Sequence, residues 1–293
     1  MIQIDGLTKR YGERTVLDQV SFTAPPGEVT AFLGANGAGK TTTMRILLGL
    51  VSATSGTATI NGTRYADLPA PRRIVGALIE NEGSHRGRSG RDHLRVIARA
   101  AQLPDQRVDE VLDAVELTEF AGDRTGGYSL GMRQRLGIAA AILGDPEVIV
   151  LDEPANGLDP LGIRWLRSLL SGMAAEGRTV LLSSHLLSEV EQLADRIVII
   201  DHGRLLRDTT AEALSGTQAG DVAIRTPDPA ALAKALELKG IRTTSGPESL
   251  VAHATTPAAV GDIAAATGCA LHGLAAAAPD LEETFLSLTA EMN

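Results

Sequence analysis

The sequence predicts an α/β protein built on a mostly parallel sheet, followed by a small α+β module. Three observations predict it. Short apolar runs of strand length, residues 29–33 and the fully apolar 148–151, alternate with longer helical stretches, the pattern of strands covered on both faces. A glycine-rich segment, residues 34–40, lies between the first of these strands and a helix. Near Ser215 and Gly216 the composition shifts, and strands and helices then alternate on a shorter scale.

Taken in order, residues 1–25 alternate in the manner of strands, punctuated by Gly12 and by Pro25 and Pro26. The apolar strand 29–33 leads into the glycine segment, and residues 41–50 read as a helix. Residues 56–62 (GTATING) give a further short strand and turn, and residues 74–79 another strand. From 92 to 143 Ala, Leu and Arg dominate and the pattern is helical, with breaks at Pro104 and at Gly126 and Gly127. The strand 148–151 is followed by a helix over 161–175, a strand over 179–182, a helix over 186–194 and a strand over 196–200. Trp165, the only tryptophan, is expected to pack its helix against the sheet. The last segment reads as a strand (222–225), a helix (229–239), strands near Arg242 and Val251, a helix (257–267), a strand (270–274) and a final helix (281–291). That order fits a split βαβ, ferredoxin-like module.

Bulk properties narrow the function classes. Of 293 residues, 27 are basic and 36 acidic, for a net charge of −9; with no long Lys/Arg block, a nucleic-acid clamp is disfavoured. Aromatics are 3% of the chain, so the core rests on aliphatic residues. The single cysteine, Cys269, has no disulfide or metal companion and reads as a small apolar residue, as suits a reducing compartment. The first ten residues lack the apolar stretch of a signal peptide. No segment approaches the ~20 apolar residues of a membrane span, so a membrane role would need a second chain to supply the channel.

Residues Gly34, Ala35, Asn36, Gly37, Ala38, Gly39, Lys40 and Thr41 fit G-x-x-x-x-G-K-[ST], the phosphate loop, which continues into Thr42. Glycines let the backbone wrap so that its N–H groups face phosphate oxygens. The following helix adds the positive end of its dipole. Lys40 is placed for the β- and γ-phosphates, and the Thr41 hydroxyl for Mg2+. A second motif, residues 148–153 (VIVLDE), drives an apolar strand through the core and releases two carboxylates at its C-terminal end, where ligands sit in open α/β sheets. Asp152 suits a metal position, and Glu153 suits orientation and deprotonation of an attacking water. A third, residues 128–135 (YSLGMRQR), opens a helix with Ser129 as a natural N-cap.

Taken in this order, the three motifs resemble those of the ABC ATPases. Residues 128–132 resemble the family's LSGGQ signature in a variant form, and the resemblance covers about residues 1–215. It implies a P-loop ATPase domain over 1–215, with a β-rich N-terminal subdomain and an α-helical subdomain at about 90–145, and an accessory α+β domain over 216–293. Tyr11 sits where the family stacks an aromatic on adenine, and Asn156 to Pro160 resemble the D-loop, which crosses a dimer interface. His185 resembles the switch histidine that contacts the γ-phosphate. The implied ligands are ATP and Mg2+, with Thr41, Asp152 and Glu80 at the metal and Glu153 as base. The implied partners are a second ATPase subunit, whose nucleotide Ser129, Gly131 and Asp159 would face, and a separate multi-span permease at the cytoplasmic face of the membrane; no nucleic acid is implied.

One position departs from the family pattern. Where a Q-loop glutamine is expected after the strand 74–79, this chain has Glu80, which adds negative charge beside the phosphates. Together with the SLGM signature and the ALIE segment (residues 77–80), this resembles the antibiotic export and immunity branch. The loop 84–91 would then face the membrane partner. A soluble ABC ATPase and a non-catalytic regulator are the competing readings. One cassette without a heptad run argues against the first, and Glu153 with His185 against the second. The end of the chain, around residues 281–286, resembles the closing helix of export-type ATPases.

Overall fold

A computed structural model of the chain describes residues 1–79, 85–211, 220–245 and 249–276. The chain divides into two compact units, residues 1–208 and 209–293.

In the first unit, β1 (Ile2–Tyr11), β2 (Arg14–Ala24) and β4 (Ser55–Ile60) form an antiparallel sheet ordered β2-β1-β4. Ile2 and Ile4 are buried while Gln3 and Asp5 face solvent, as period-two alternation requires of a sheet covered on one side. The central sheet is ordered β5-β6-β7-β3-β8-β9. Its strands are β3 (Val29–Leu33), β5 (Val75–Leu78), β6 (Val148–Leu151), β7 (Thr179–Ser184), β8 (Arg196–Asp201) and β9 (Arg204–Thr210). The pairs from β5 through β8 are parallel. Every residue of β3, β6 and β7 is buried, which explains why these strands carry no charged residue and are mostly apolar; Thr30, Thr179, Ser183 and Ser184 are their buried polar residues. One core joins the two sheets through α1 (Lys40–Leu47), drawing on Ile2, Leu17, Phe22, Phe32, Met44, Val150 and Leu181.

Register decides where the functional residues emerge. Leu33 pairs with Ser184, and Leu151 with Leu182. The ends of β3, β6 and β7 therefore reach one edge of the sheet, and residues 34–40, Asp152, Glu153 and His185 all leave from it. The hairpin from β8 to β9 turns through His202 (φ 44) and Gly203 (φ 77), both left-handed, as a two-residue turn of the right twist demands. The Gly203 N–H donates to Ala38 O at 3.0 Å, and its carbonyl accepts from Asp18 N at 2.8 Å. A Cβ on Gly203 would stand 2.3 Å from Val16 O, so this brace requires glycine.

The stretch over 92–143 is three helices, α3 (Gly90–Ala100), α4 (Gln106–Ala114) and α5 (Leu130–Ile142). Leu94, Ala98, Val108, Val111, Leu112 and Leu136 are buried. The remaining helices of this unit are α2 (Pro71–Ile74), α6 (Pro160–Ala175) and α7 (Leu187–Leu193). Three local readings are corrected. The first helix ends at Leu47 rather than at residue 50, because Leu48 caps it and Gly49 turns left-handed (φ 70). Residue 74 closes the short helix α2, started by Pro71, before β5 begins. Trp165 does not pack α6 on the sheet. Its Nε1 donates to Ala114 O at 3.0 Å, at the end of α4, and the Arg135 guanidinium of α5 lies 4.1 Å from its ring centroid.

The second unit runs β10 (Gly220–Arg225), α8 (Pro229–Glu237), β11 (Thr243–Ser245), β12 (Leu250–Thr255), α9 (Pro257–Thr267) and β13 (Gly273–Ala276). All neighbours are antiparallel in the order β11-β12-β10-β13, the arrangement of a split βαβ, ferredoxin-like sheet. Asp228 and Thr256 cap α8 and α9, and each is followed by proline. Val222, Ile224, Leu232, Leu236, Leu250 and Val260 form the core, with the half-buried Cys269 at its margin. The last strand begins at Gly273, later than the expected 270, because Ala270 O first accepts the Thr226 hydroxyl at 2.8 Å. Glu80 and the expected helix over 281–291 lie outside the described residues.

Phe32 is fully buried and its ring stands 4.9 Å from that of Phe22. Replacing Phe32 by alanine is expected to cost about 3–5 kcal/mol. The measurement is the urea midpoint followed by fluorescence of Trp165, the only tryptophan of the chain, which lies in this unit.

Candidate active site

The glycine loop takes its shape from positions that exclude side chains. A Cβ on Gly34 would stand 2.4 Å from Ile200 O, and one on Gly39 2.5 Å from Leu17 Cδ2. Gly37 (φ 85) and Gly39 (φ 115) are left-handed, a region open to glycine without steric cost. Ala35, Asn36 and Gly37 are exposed at the crest of the loop, while Ala38, Gly39 and Lys40 are buried at its base. Helix α1 begins at Lys40, so its free N–H groups and positive dipole end face the loop. Lys40 Nζ donates to Gly34 O at 2.6 Å and to Ala35 O at 3.3 Å. Thr41 and Thr42 follow, both half-buried.

Against this loop stand the two carboxylates after β6. Asp152 Oδ2 accepts the Thr41 hydroxyl at 2.7 Å, and Asp152 Oδ1 accepts the Ser183 hydroxyl at 2.5 Å. The Ser183 oxygen in turn accepts the Glu153 N–H at 2.9 Å, so one hydroxyl from β7 orients both acidic residues. The Glu153 carboxylate is shared between two basic groups. Oε1 lies 3.4 Å from Lys40 Nζ, and Oε2 lies 2.8 Å from His185 Nδ1. The site thus assembles a phosphate-shaped loop, a buried ammonium, an oxygen pair from Thr41 and Asp152, and a carboxylate held between a lysine and a histidine. Chemically, that set can bind a nucleotide's phosphates and present a base to a water beside them.

Other expected residues lie apart from this cluster. Among the described residues, no hydrogen bond or ion pair joins Tyr11, Ser129, Gly131 or Asp159 to it. Tyr11 is 52% exposed, with Lys9 Nζ 4.5 Å from its ring centroid, a half-exposed aromatic at the end of β1. Ser129 is exposed, and its hydroxyl accepts from Met132 N at 3.1 Å to cap α5. Asp159 caps α6, accepting from Gly162 N at 2.8 Å. A Cβ on Gly131 would stand 3.0 Å from Gly157 O, so the start of α5 touches the turn before α6 along the backbone. Glu80 lies outside the described residues.

Three contributors escaped the sequence reading. Ser183 follows the apolar residues of its strand, and no motif marks it. Gln134 is fully buried, and its Nε2 donates to Glu153 O at 3.1 Å. Its signal was a polar residue at the head of the buried i, i+4, i+8 stripe Gln134, Ile138 and Ile142. Tyr128 is buried and its hydroxyl donates to Phe120 O at 2.7 Å. Burial, reinforced by nearby Asp123, pushes this phenol above the usual tyrosine range. It packs against Gly90, where a Cβ would meet the Tyr128 hydroxyl at 2.3 Å.

The family model described as ABC transporter matches residues 17–156, which contain the loop, α5 and both carboxylates. The chain is 41% identical over 217 residues to the bacitracin transport ATP-binding protein BcrA of Enterococcus faecalis, covering 73% of this chain and 70% of that protein. The chain belongs to the family of ABC transporter ATP-binding proteins. Its 41% identity over 208 residues to the lantibiotic transport ATP-binding protein SrtF of Streptococcus pyogenes covers 70% of this chain and 89% of that one. The dimeric structure of MJ0796, a bacterial ABC transporter cassette, superposes with a TM-score of 0.67 at 24% identity over 72% of this chain and 99% of the cassette, a likeness of fold. This ABC subunit binds and hydrolyses ATP to power a transporter. Its second unit matches a domain of unknown function (DUF8746) over residues 220–282.

Ser183→Ala removes the hydroxyl that links Asp152 to Glu153. Turnover of this ABC subunit, read as phosphate release at saturating ATP, is expected to fall about ten- to hundredfold through misorientation of the two carboxylates.

Proposed function

We propose that this chain works as one half of an ATP-driven export machine. Residues 34–42 wrap the triphosphate, and Lys40 offsets the charge of its β- and γ-phosphates. Tyr11 stacks on adenine. Thr41 and Asp152, with Glu80, hold Mg2+. The fit is chemical: Thr41 and Asp152 present oxygen donors 2.7 Å apart with a single negative charge, and Mg2+ is a hard ion that binds through one or two carboxylates plus substrate phosphates. When bound, Mg2+ neutralises charge on the β- and γ-oxygens.

Glu153 accepts a proton from water as the water oxygen attacks the γ-phosphorus. The bond from that phosphorus to the β-bridging oxygen breaks, giving ADP and inorganic phosphate. His185 holds the Glu153 carboxylate through Nδ1, which leaves Nε2 for a γ-phosphate oxygen. The single observation that carries this reading is the Glu153 carboxylate lying between Lys40 at 3.4 Å and His185 at 2.8 Å. It puts a base, a phosphate-binding cation and a second donor within one contact shell.

The exposed, capped start of α5 supports a two-subunit site. Ser129 and Leu130 are exposed and Gly131 is half-buried at the N-terminus of this helix, and an anion on a second subunit fits there. Asp159 lies at the same junction, since the turn before it touches Gly131. The dimeric likeness of MJ0796 supports a homodimer closing on two nucleotides. Among the described residues no helix is long and apolar enough to cross a membrane; in this reading a separate multi-span permease supplies the path, with this subunit peripheral on the cytoplasmic side. The likeness to BcrA, a bacitracin transport protein, and to SrtF, a lantibiotic transport protein, supports an antibiotic, peptide or other hydrophobic compound as cargo.

Glu153→Gln tests the reading, because it keeps the size of the side chain and removes its basicity. Turnover is expected to fall at least about a hundredfold, while ATP shifts the variant to a dimer in size-exclusion chromatography. Parent-like turnover by the variant would overturn the assignment of the base.

A further inference from the structure

The peptide that carries Glu153 is unusual. Glu153 adopts φ 50, a left-handed conformation that costs energy for a residue with a side chain. Such a conformation persists where its surroundings hold it, and here both ends of the residue are held. Its N–H donates to Ser183 Oγ at 2.9 Å. Its carbonyl accepts from Asn156 N at 3.2 Å and from Gln134 Nε2 at 3.1 Å. The side-chain contacts of Glu153 to Lys40 and His185 follow from this backbone geometry.

Of these supports, Gln134 alone comes from α5, the helix whose start carries Ser129 and Gly131. It is fully buried, and its Oε1 has no hydrogen-bond partner among the described residues. A buried amide with an unpaired acceptor is a net liability for stability. Rotating the amide would set Oε1 against Glu153 O, so the contact fixes the amide's orientation. An apolar side chain of the same size would remove the unpaired acceptor and serve packing better. The amide is therefore explained by what its donor holds.

We propose that Gln134 is a positioning residue for the Glu153 carboxylate, tying its aim to the placement of α5. The inference rests on the reading of Glu153 as the base. A shift of α5, such as a nucleotide bound at its N-terminus would bring about, acts on the Glu153 peptide through this one hydrogen bond.

The test uses the full chain with Gln134→Met and Gln134→Glu. Gln134→Met is expected to lower kcat about ten- to hundredfold, through misplacement of a reacting group, with KM for ATP unchanged. Its urea midpoint stays at or above that of the parent, because the unpaired acceptor is gone. Hydrogen exchange of the peptide bearing Asp152 and Glu153 rises. In Gln134→Glu the introduced carboxyl donates to Glu153 O only while protonated, and burial raises its pKa. Turnover therefore holds at low pH and falls along a new limb as pH rises, a limb the parent lacks.

Unchanged kcat and unchanged exchange in Gln134→Met, a midpoint lowered in step with kcat, or a parent-like pH profile in Gln134→Glu would each overturn the proposal. Glu153→Gln assayed alongside separates the two readings. Normal turnover in that variant removes the base itself, whereas an inactive Glu153→Gln beside a parent-like Gln134→Met removes only the role of Gln134.

Discussion

Strands that are buried on both faces leave charged side chains no place except their ends, and the site depends on that constraint. β3, β6 and β7 carry buried residues along their whole length, and their parallel register brings their last residues to one edge. The loop with Lys40, the pair Asp152 and Glu153, and His185 are far apart in sequence yet leave the sheet side by side. The ion pair between Lys40 and Glu153 and the hydrogen bond between Thr41 and Asp152 span this edge. They join the strand that positions phosphate to the strand that positions the base. Slipping any of these strands by one residue would turn each side chain toward the opposite packed face and carry the residues at its end away from the site.

Within that frame, strain and satisfaction are unevenly shared. Glycines absorb the left-handed turns of the phosphate loop without steric cost. Glu153 does not have that freedom, since its carboxylate is needed, and its backbone is held from Ser183, Asn156 and Gln134. The same division appears at the signature segment. Gly131 is small because the backbone of Gly157 runs past it, and Tyr128 is large because it anchors the segment to the start of α3.

The fold was readable wherever one physical demand admits few residue types. A backbone that wraps an anion admits glycine at fixed spacing, and a strand covered on both faces favours apolar runs, so residues 29–41 and 148–153 stood out. The split βαβ order of the second unit was readable from the alternation of short periodic segments. What stayed hidden depends on partners distant in the chain. Gln134 acquires its meaning from Glu153, Ser183 from Asp152, and Tyr128 from Phe120 and Gly90, and none of these pairs is marked by local periodicity. Trp165 was placed on the wrong neighbour because α6 packs on two layers, and the apolar pattern of one helix does not say which layer receives its largest ring.

The turn at His202 and Gly203 is gripped on both sides, by the carbonyl of Ala38 in the phosphate loop and by the amide of Asp18 in β2. A hairpin pinned at its tip in this way has no slack. Related chains that differ in length must take up their insertions and deletions elsewhere. The length of this turn is thus fixed by chemistry, since a residue gained or lost at its tip would pull on the phosphate loop and on β2 together.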